Sequence, residues 1–331
     1  MVYTFEQITK DYTLNNNDYK IKDQIVSFYN TQIIDYNYID NSYYLLWIGN
    51  YYNKIEQDYD QMKKYYLLAI DKNNIDAMFK LGYYYDEIEP NYDLMKKYYL
   101  LAIDHDNYRA MFYLGYYYHY TEINYDLMKK YYKMAIDQGN NYSMYNLGYY
   151  YDEIEPNYEL MKKYYLLAID HGNHNAMYNL GLYYHYTEIN YELMKKYYLM
   201  AINKGCDKAM YNLGYYYHYT EINYDLMKKY YYMAINQGNH NAMFSLGLYY
   251  DELETNYDLM KKYYLMSIDQ DNNLAMYNLG YYYQYTEINY DQMKKYYLMA
   301  IDCGNQDAIT NLNKYLNNNL NKLYDDFELY Y

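Results

Sequence analysis

Arginine, proline, cysteine and tryptophan are scarce in this chain. Its 331 residues include two prolines, two cysteines, one tryptophan and, among 28 basic side chains, a single arginine, Arg109. The formal net charge of −15 repels phosphate backbones, and one guanidinium is a poor basis for reading bases or phosphates. We therefore predict that the chain has no nucleic-acid partner.

Long apolar runs are also missing. No stretch approaches the ~18 apolar residues that cross a bilayer, and the start of the chain, Met1 to Glu6, lacks the basic and apolar regions of a secretion signal. We expect a soluble protein of the cytoplasm with no membrane partner.

Two motifs recur every 33 residues. The first is Met-Lys-Lys-Tyr-Tyr, followed after two further residues by a small residue and Ile; it begins at Met62, Met95, Met128, Met161, Met194, Met227, Met260 and Met293. The second is a small residue followed four positions later by Leu-Gly, as in Ala77, Leu81 and Gly82. Two motifs per period of this length are typical of stacked helical hairpins, because one hairpin cannot bury its apolar face alone. The pattern predicts an all-α, right-handed α-solenoid of helix-turn-helix repeats.

Helix signals divide each repeat in two. Asn74 is placed to cap a first helix, in which Ala77, Leu81 and Tyr85 share one face and Gly82 allows close approach of the partner helix. A second cap, Asn91 in this repeat, begins a helix whose apolar stripe is Met95, Tyr99, Ala102 and Ile103. Residues suited to a left-handed conformation end the second helices: Asn73, Asp106, Gly139, Gly172, Gly205, Gly238, Asp271 and Gly304. We divide the chain into an N-terminal helical cap (1–40, with a helix expected from Asp23 to Ile34), eight repeats (41–304) and a C-terminal capping helix and tail (305–331).

The repeats resemble Sel1-like repeats of the tetratricopeptide superfamily. The resemblance rests on residues such as Ala176, Leu180, Gly181, Tyr198 and Ala201, with the turn glycine Gly205, and it covers about residues 42–312. The link between helices departs from that family, since the longer Gly-rich loop is missing. The resemblance implies a scaffold that binds other proteins, with no catalytic residues and no cofactor. The bias toward Tyr, Asn, Ile and Lys also resembles repeat proteins of giant DNA viruses.

A Tyr-rich face of the first helices is the candidate binding surface. It lies on the side that lines the concave groove of such superhelices, and we call its members the first and second rungs. The first rung is Phe79, Phe112, Tyr145, Tyr178, Tyr211, Phe244 and Tyr277; the second is Tyr83, Tyr116, Tyr149, Leu182, Tyr215, Leu248 and Tyr281. Tyrosine offers large contact area and a polar tip at low entropic cost, so the face is suited to a partner peptide or helix. The alternatives are that these rings only pack between neighbouring repeats, or that the 69 tyrosines reflect AT-rich codons.

A third rung of polar residues follows: Asp86, His119, Asp152, His185, His218, Asp251 and Gln284. Successive members lie ~10 Å or more apart, one helix-packing step, whereas zinc needs ligands within ~2.1 Å of one point. We predict solvated side chains at helix ends and no metal site.

The remaining reactive groups do not indicate catalysis. Cys206 has no His-plus-acid set that the spacing places beside it, and it lies about three repeats from Cys303, so both are predicted to be free thiols. The lysine pairs, Lys63 and Lys64 through Lys294 and Lys295, are interpreted as a solvated outer face balanced by its own acids. The alternative is docking of an acidic partner or of an anionic membrane surface. We predict a non-enzymatic scaffold that binds a protein partner; the competing hypothesis is a structural or self-associating element.

Overall fold

The computed structural model describes the backbone of residues 19–328 and the side chains of residues 23–317. Within that range there are 18 α-helices and no strand, with a 3₁₀ turn at Tyr36–Tyr38 and a π-helical turn at Tyr52–Glu56. In chain order the helices are α1 (Tyr19–Thr31), α2 (Ser42–Tyr51), α3 (Tyr59–Ile70), α4 (Ile75–Glu87), α5 (Tyr92–Ile103), α6 (Tyr108–Tyr120), α7 (Tyr125–Asp137), α8 (Asn141–Glu153), α9 (Tyr158–Asp170), α10 (His174–Tyr186), α11 (Tyr191–Ile202), α12 (Asp207–Tyr219), α13 (Tyr224–Asn236), α14 (His240–Glu252), α15 (Tyr257–Ile268), α16 (Asn273–Tyr285), α17 (Tyr290–Asp302) and α18 (Gln306–Glu328).

The chain forms two compact units, the first ending at Asn173 and the second beginning at His174. The first unit contains α1 to α9 and the second α10 to α18. In each unit the even-numbered helices, from α2 to α16, pair with the helix that follows them, and successive pairs pack against each other. The last helix, α18, packs on α17. The predicted all-α fold of helix-turn-helix repeats is confirmed.

Capping residues set the helix starts as predicted. The side chains of Asn74 and Asn91 accept hydrogen bonds from the backbone N–H groups of Ala77 and Leu94, at 2.9 and 3.1 Å. All eight second helices begin in this way, with Asp58, Asn91, Asn124, Asn157, Asn190, Asn223, Asn256 and Asn289 as caps. Cys206, which replaces asparagine before α12, makes no side-chain capping bond. Such caps are worth about 1 kcal/mol each, so they specify where each short helix begins.

Helix ends also follow the sequence signals. The residues after the second helices have positive φ, from 57° at Asn73 and 58° at Asp106 to 84° at Gly205, as their residue types predict. The N-terminal helix ends earlier than the predicted Ile34. Gln32 has φ 58°, and the Thr31 hydroxyl accepts a hydrogen bond from the N–H of Ile33, which stops the helix there.

The core of each repeat is built from both helices. Ala77, Leu81, Met95 and Ala102 are at most 1% exposed, as predicted. Tyr85 is half-buried and packs against this core, and the neighbouring Tyr84 is 4% exposed. In five other repeats the position of Tyr85 is 3–8% exposed, at Tyr118, Tyr151, Tyr184, Tyr217 and Tyr250. Tyr84 packs on the preceding repeat, whereas Tyr85 stacks on Tyr98 with ring centroids 6.0 Å apart.

The two ends of the chain lie partly outside the described residues. The C-terminal helix expected within 305–331 is α18, which runs from Gln306 to Glu328. Residues 1–18 and the side chains of the predicted polar tail from 318 onward lie outside the described residues, and the capping roles of both ends stay predictions.

Candidate protein-binding face

In each helical hairpin, a tyrosine ring of the second helix packs directly against a glycine of the first helix. In the second repeat a Cβ atom built at Gly82 would lie 2.6 Å from Cδ1 of Tyr99, closer than real Cβ contacts. Tyr99 is fully buried, and its hydroxyl donates a hydrogen bond to Asp86 Oδ2 at 3.1 Å. The close approach predicted from the glycine is therefore made to the ring of one residue of the second helix.

The first rung packs beside this buried tyrosine. All seven members are half-buried. Their ring centroids lie 5.8–6.2 Å from the buried tyrosine of the same repeat; the pairs are Phe79–Tyr99, Phe112–Tyr132, Tyr145–Tyr165, Tyr178–Tyr198, Tyr211–Tyr231, Phe244–Tyr264 and Tyr277–Tyr297. Phe79 also contacts Tyr113 of the following repeat at 5.6 Å. These rings thus have a structural role, and each keeps part of its surface accessible.

The second rung is more exposed. Tyr83, Tyr116, Tyr215 and Tyr281 are 37–47% exposed, whereas Tyr149 is half-buried. The tyrosines of this rung lie next to first-rung rings, as in Phe79–Tyr83 at 6.3 Å and Tyr277–Tyr281 at 6.3 Å. Each unit therefore presents exposed tyrosines that rest on a packed aromatic layer.

Sequence reasoning missed a further row of exposed tyrosines. Tyr120, Tyr186, Tyr219 and Tyr285, at the last position of their helices, are 45–59% exposed. Tyr120 and Tyr219 contact second-rung tyrosines, with Tyr116–Tyr120 and Tyr215–Tyr219 centroids 4.5 and 4.6 Å apart. The signal was present, because each of these residues follows the second rung by four positions and continues the same helical stripe.

The third rung is not solvated as predicted. His119, His185 and His218 are only 2–6% exposed, and Asp86 and Gln284 are half-buried. For every member except His218, the reason is the buried tyrosine of the second helix, whose hydroxyl requires a polar partner in the core. Contacts to that hydroxyl are Asp86–Tyr99 at 3.1 Å, His119–Tyr132 at 3.4 Å, Asp152–Tyr165 at 3.2 Å, His185–Tyr198 at 3.3 Å, Asp251–Tyr264 at 3.2 Å and Gln284–Tyr297 at 2.7 Å.

Burial controls the charge of this rung. It lowers the pKa of His119 to about 4, and it lowers the pKa of His185 and His218 as well, so these imidazoles are neutral near pH 7. Burial raises the pKa of Asp86 to about 6, against the lowering effect of the Tyr99 hydroxyl. These shifts follow from desolvation of groups that support the core.

The first lysine of six pairs has a role that the sequence reasoning missed. Lys96 Nζ lies 2.8 Å from Glu122 Oε2 and 5.4 Å from the ring centroid of Tyr117, whose hydroxyl donates to the same carboxylate at 2.9 Å. Equivalent ion pairs at 2.9–3.4 Å are Lys63–Glu89, Lys129–Glu155, Lys195–Glu221, Lys228–Glu254 and Lys261–Glu287. Several of these lysines also pair with the acid of their own helix, as predicted. The predicted outer face is thus also a contact between repeats. A glutamate 26 residues after the first lysine, present for every pair except the last, could have indicated it.

The described residues offer little for catalysis. No group of three or more His, Cys, Asp or Glu side chains in that part of the chain could hold a metal ion. Cys206 and Cys303 are free, and burial raises the pKa of the Cys206 thiol, which opposes nucleophilic reactivity. In the described part of the chain no helix combines the length and apolar character needed to span a membrane.

The fold is that of a helical-repeat protein, and comparison with solved structures identifies the kind of repeat. The chain is similar to c5321, a protective antigen present in uropathogenic Escherichia coli strains and displaying an SLR fold. The similarity covers 94% of this chain and 74% of c5321, with 21% sequence identity and a TM-score of 0.65. The chain is also similar to a Sel1 repeat protein from Oxalobacter formigenes. That similarity covers 84% of this chain and 89% of the Oxalobacter protein, with 17% sequence identity and a TM-score of 0.69. No family model and no curated protein sequence matches the chain. The fold is therefore a Sel1-like repeat fold.

Proposed function

We propose that the protein is a non-enzymatic scaffold that binds a peptide or helix of a partner protein on the Tyr-rich face of its first helices. The observation that carries this proposal is the exposed row Tyr83, Tyr116, Tyr215 and Tyr281, which rests on the packed first rung. A supported ring loses little entropy on binding, and tyrosine is enriched among residues that dominate binding energy. The concave placement of this face is part of the proposal.

The general role is in keeping with the Sel1-like repeat fold, which supports protein partners more readily than small substrates. The formal net charge of the chain, −15, favours a partner surface that has basic residues beside its apolar contacts. A cytoplasmic location, in a host cell if the protein is viral, belongs to the same proposal.

Partner capture tests the face in each unit separately. Tagged full-length chain is used to isolate bound proteins from the native cell, and mass spectrometry identifies them. We expect the capture of specific partners to fall at least tenfold with Tyr116→Ala plus Tyr149→Ala, or with Tyr215→Ala plus Tyr281→Ala. Unchanged capture by both double variants would refute the proposed face.

The matched control uses exposed apolar residues of the second helices. Leu100, Leu166 and Leu199 are 40–42% exposed, similar to the second-rung tyrosines. Their combined replacement by alanine is expected to leave partner capture unchanged. A loss of capture equal to that of the tyrosine variants would indicate a nonspecific hydrophobic effect.

The alternative function is self-association through the exposed tyrosines. Size-exclusion chromatography with light scattering distinguishes the scaffold function from self-association. A monomer over a hundredfold range of concentration favours the scaffold, whereas oligomers that dissociate on dilution and are lost in the tyrosine variants favour self-association.

A further inference from the structure

A cavity opens in the second unit between the ends of the first helices of two successive repeats. Its volume is about 270 Å³, and it lies where α12 ends, α13 begins and α14 ends. Its wall includes His218, Tyr219, Tyr224, Leu248, Tyr249 and Glu252. An apolar cavity of about 150 Å³ holds benzene, so this volume admits a compact organic group with a short stem.

Aromatic rings of different orientation form the wall. His218 stacks on Tyr219 with centroids 4.0 Å apart and meets Tyr224 and Tyr249 edge-on at 6.2 and 6.0 Å. Tyr224 and Tyr249 are themselves tilted by 49° at 5.3 Å. His218 and Tyr249 are buried and form the inner wall, whereas Tyr219 is 53% exposed at the mouth.

The charge of the wall has one sign. Glu252 is exposed and supplies a carboxylate, and none of the lining residues is Lys or Arg. Lys228 lies outside the lining, 5.4 Å from the ring centroid of Tyr249, and its charge is balanced by Glu254 at 3.4 Å. Tyrosine faces attract organic cations, and several rings with a carboxylate are the arrangement that recognises alkylated ammonium groups.

We infer that this cavity binds an alkylated ammonium group, carried either by a methylated lysine side chain or by a choline-type small molecule. The three tyrosine rings supply the cation–π contacts and Glu252 supplies the opposite charge. This inference goes beyond the proposed scaffold function. Leu248 belongs to the second rung and Tyr219 to the row that continues it, but the ammonium site does not require that face to bind a partner.

Comparison with the first unit points to Leu248 as the residue that leaves this space open. Between α6 and α8 the corresponding residues are His119, Tyr120, Tyr125, Tyr150 and Glu153, so the wall chemistry is the same. The position of Leu248, however, is occupied there by Tyr149. Burial is the main cause that raises the pKa of Tyr120, and the Tyr116 and Tyr149 hydroxyls add to it, so Tyr149 lies near Tyr120. A tyrosine is therefore an accepted residue at position 248, and its larger side chain would fill the cavity.

Calorimetric titration of the full chain with choline tests the inference. 3,3-Dimethyl-1-butanol, which has the shape of choline but no charge, is the control ligand. We expect choline to bind at one site and the neutral analogue to bind at least tenfold more weakly. Equal affinity for the two, or no binding of choline and of a trimethyllysine peptide, would overturn the inference.

Two variants separate the contributions of charge and space. Glu252→Gln, at an exposed position that leaves the fold intact, is expected to weaken choline binding about three- to tenfold, and Leu248→Tyr to abolish it with unchanged circular dichroism. Wild-type affinity in both variants would refute this site. Tyr149→Leu is the gain-of-function test: a second site of similar affinity supports the inference, and an unchanged stoichiometry contradicts the role given to Leu248.

The source of the group is resolved by two further ligands. A short peptide with trimethyllysine that binds more tightly than the same peptide with unmodified lysine and than phosphocholine indicates a protein partner. Tighter binding of phosphocholine indicates a free metabolite or headgroup. Both results support the ammonium site, and neither requires the Tyr-rich face to be active.

Discussion

The absence of a side chain at Gly82 makes room for the ring of Tyr99. A Cβ atom at Gly82 would lie 2.6 Å from Cδ1 and 2.8 Å from Cε1 of that ring. The same contact recurs in every pair of Leu-Gly and Tyr-Tyr motifs within one repeat, with Cβ–Cδ1 distances of 2.5–2.6 Å. The glycine and the tyrosine are therefore one structural unit, 17 residues apart in sequence.

Gly82→Ala is predicted to destabilise the protein by about 1–3 kcal/mol, because the ring of Tyr99 is enclosed and cannot move away freely. The sign of this change in the free energy of unfolding is informative. At an uncrowded position inside a helix, Gly→Ala would stabilise the protein by about 1 kcal/mol, because alanine has the higher helix propensity. Urea denaturation measures the change. A stabilised variant would contradict the contact, and adding Tyr99→Leu is expected to recover part of the loss.

Asp86→Gln is predicted to stabilise the protein at pH 7. The pKa of Asp86 is raised from 3.8 to about 6, so its neutral form is favoured in the folded state and its contribution is lost as pH rises through 6. Gln284 shows that a neutral acceptor fits this position, at 2.7 Å from the Tyr297 hydroxyl. Allowing for partial exposure, we expect a gain of about 1 kcal/mol at pH 7.

That gain should disappear below pH 4, where Asp86 is protonated in folded and unfolded chains alike. Denaturation at pH 7 and at pH 3.5 tests the dependence. A difference between variant and wild type that is equal at both pH values would rule out the raised pKa as its cause.

His119→Gln tests the opposite pH dependence. The folded pKa of His119, about 4, is below the ordinary 6.5, so the stability that it contributes is complete above 6.5 and is lost as pH falls toward 4. We expect the variant to lose about 1 kcal/mol less than the wild type between pH 7.5 and pH 5. The exposed His105 supplies the control, and His105→Gln should follow the wild-type curve in thermal scans.

Glu122→Gln is predicted to weaken the contact between two repeats modestly. The carboxylate accepts from Lys96 and Tyr117, and these bonds lower its pKa while Glu122 in turn raises the pKa of Lys96. Because the pair is partly exposed, we expect a loss below about 1 kcal/mol that shrinks in 1 M salt. Glu87→Gln removes an exposed charge one repeat earlier and should be neutral; an equal effect of the two would show that net charge alone is responsible.

Much of the fold could be predicted from local residue patterns. Asn91 and its equivalents begin helices because a short side-chain acceptor satisfies free N–H groups, and residues such as Gly205 end them because they tolerate positive φ. Ala77, Leu81 and Met95 were predictable as core because their spacing depends only on the helical period.

The candidate face was less predictable. The first and second rungs follow from the same period, but the half-burial of Phe79 and the greater exposure of Tyr83 depend on the ring of Tyr99 and on the next repeat. Tyr120 and Tyr219 were missed because the face was followed only as far as the polar third rung.

The sequence by itself determined the 33-residue period, which recurring motifs show directly. It also determined where the helices of the repeats begin and end, because caps and positive-φ positions depend on residues within about one helical turn. Only the tertiary structure decided that His119 is a buried partner of Tyr132 and that Lys96 contacts Glu122 of the next repeat. Those roles join residues 13 and 26 positions apart: His119 and Tyr132 lie on two different helices, and Glu122 lies in the link that follows α6. Which polar groups meet there is determined by packing, since the cost of burying a hydroxyl or an imidazole is met only by the particular groups that the neighbouring helix brings within reach.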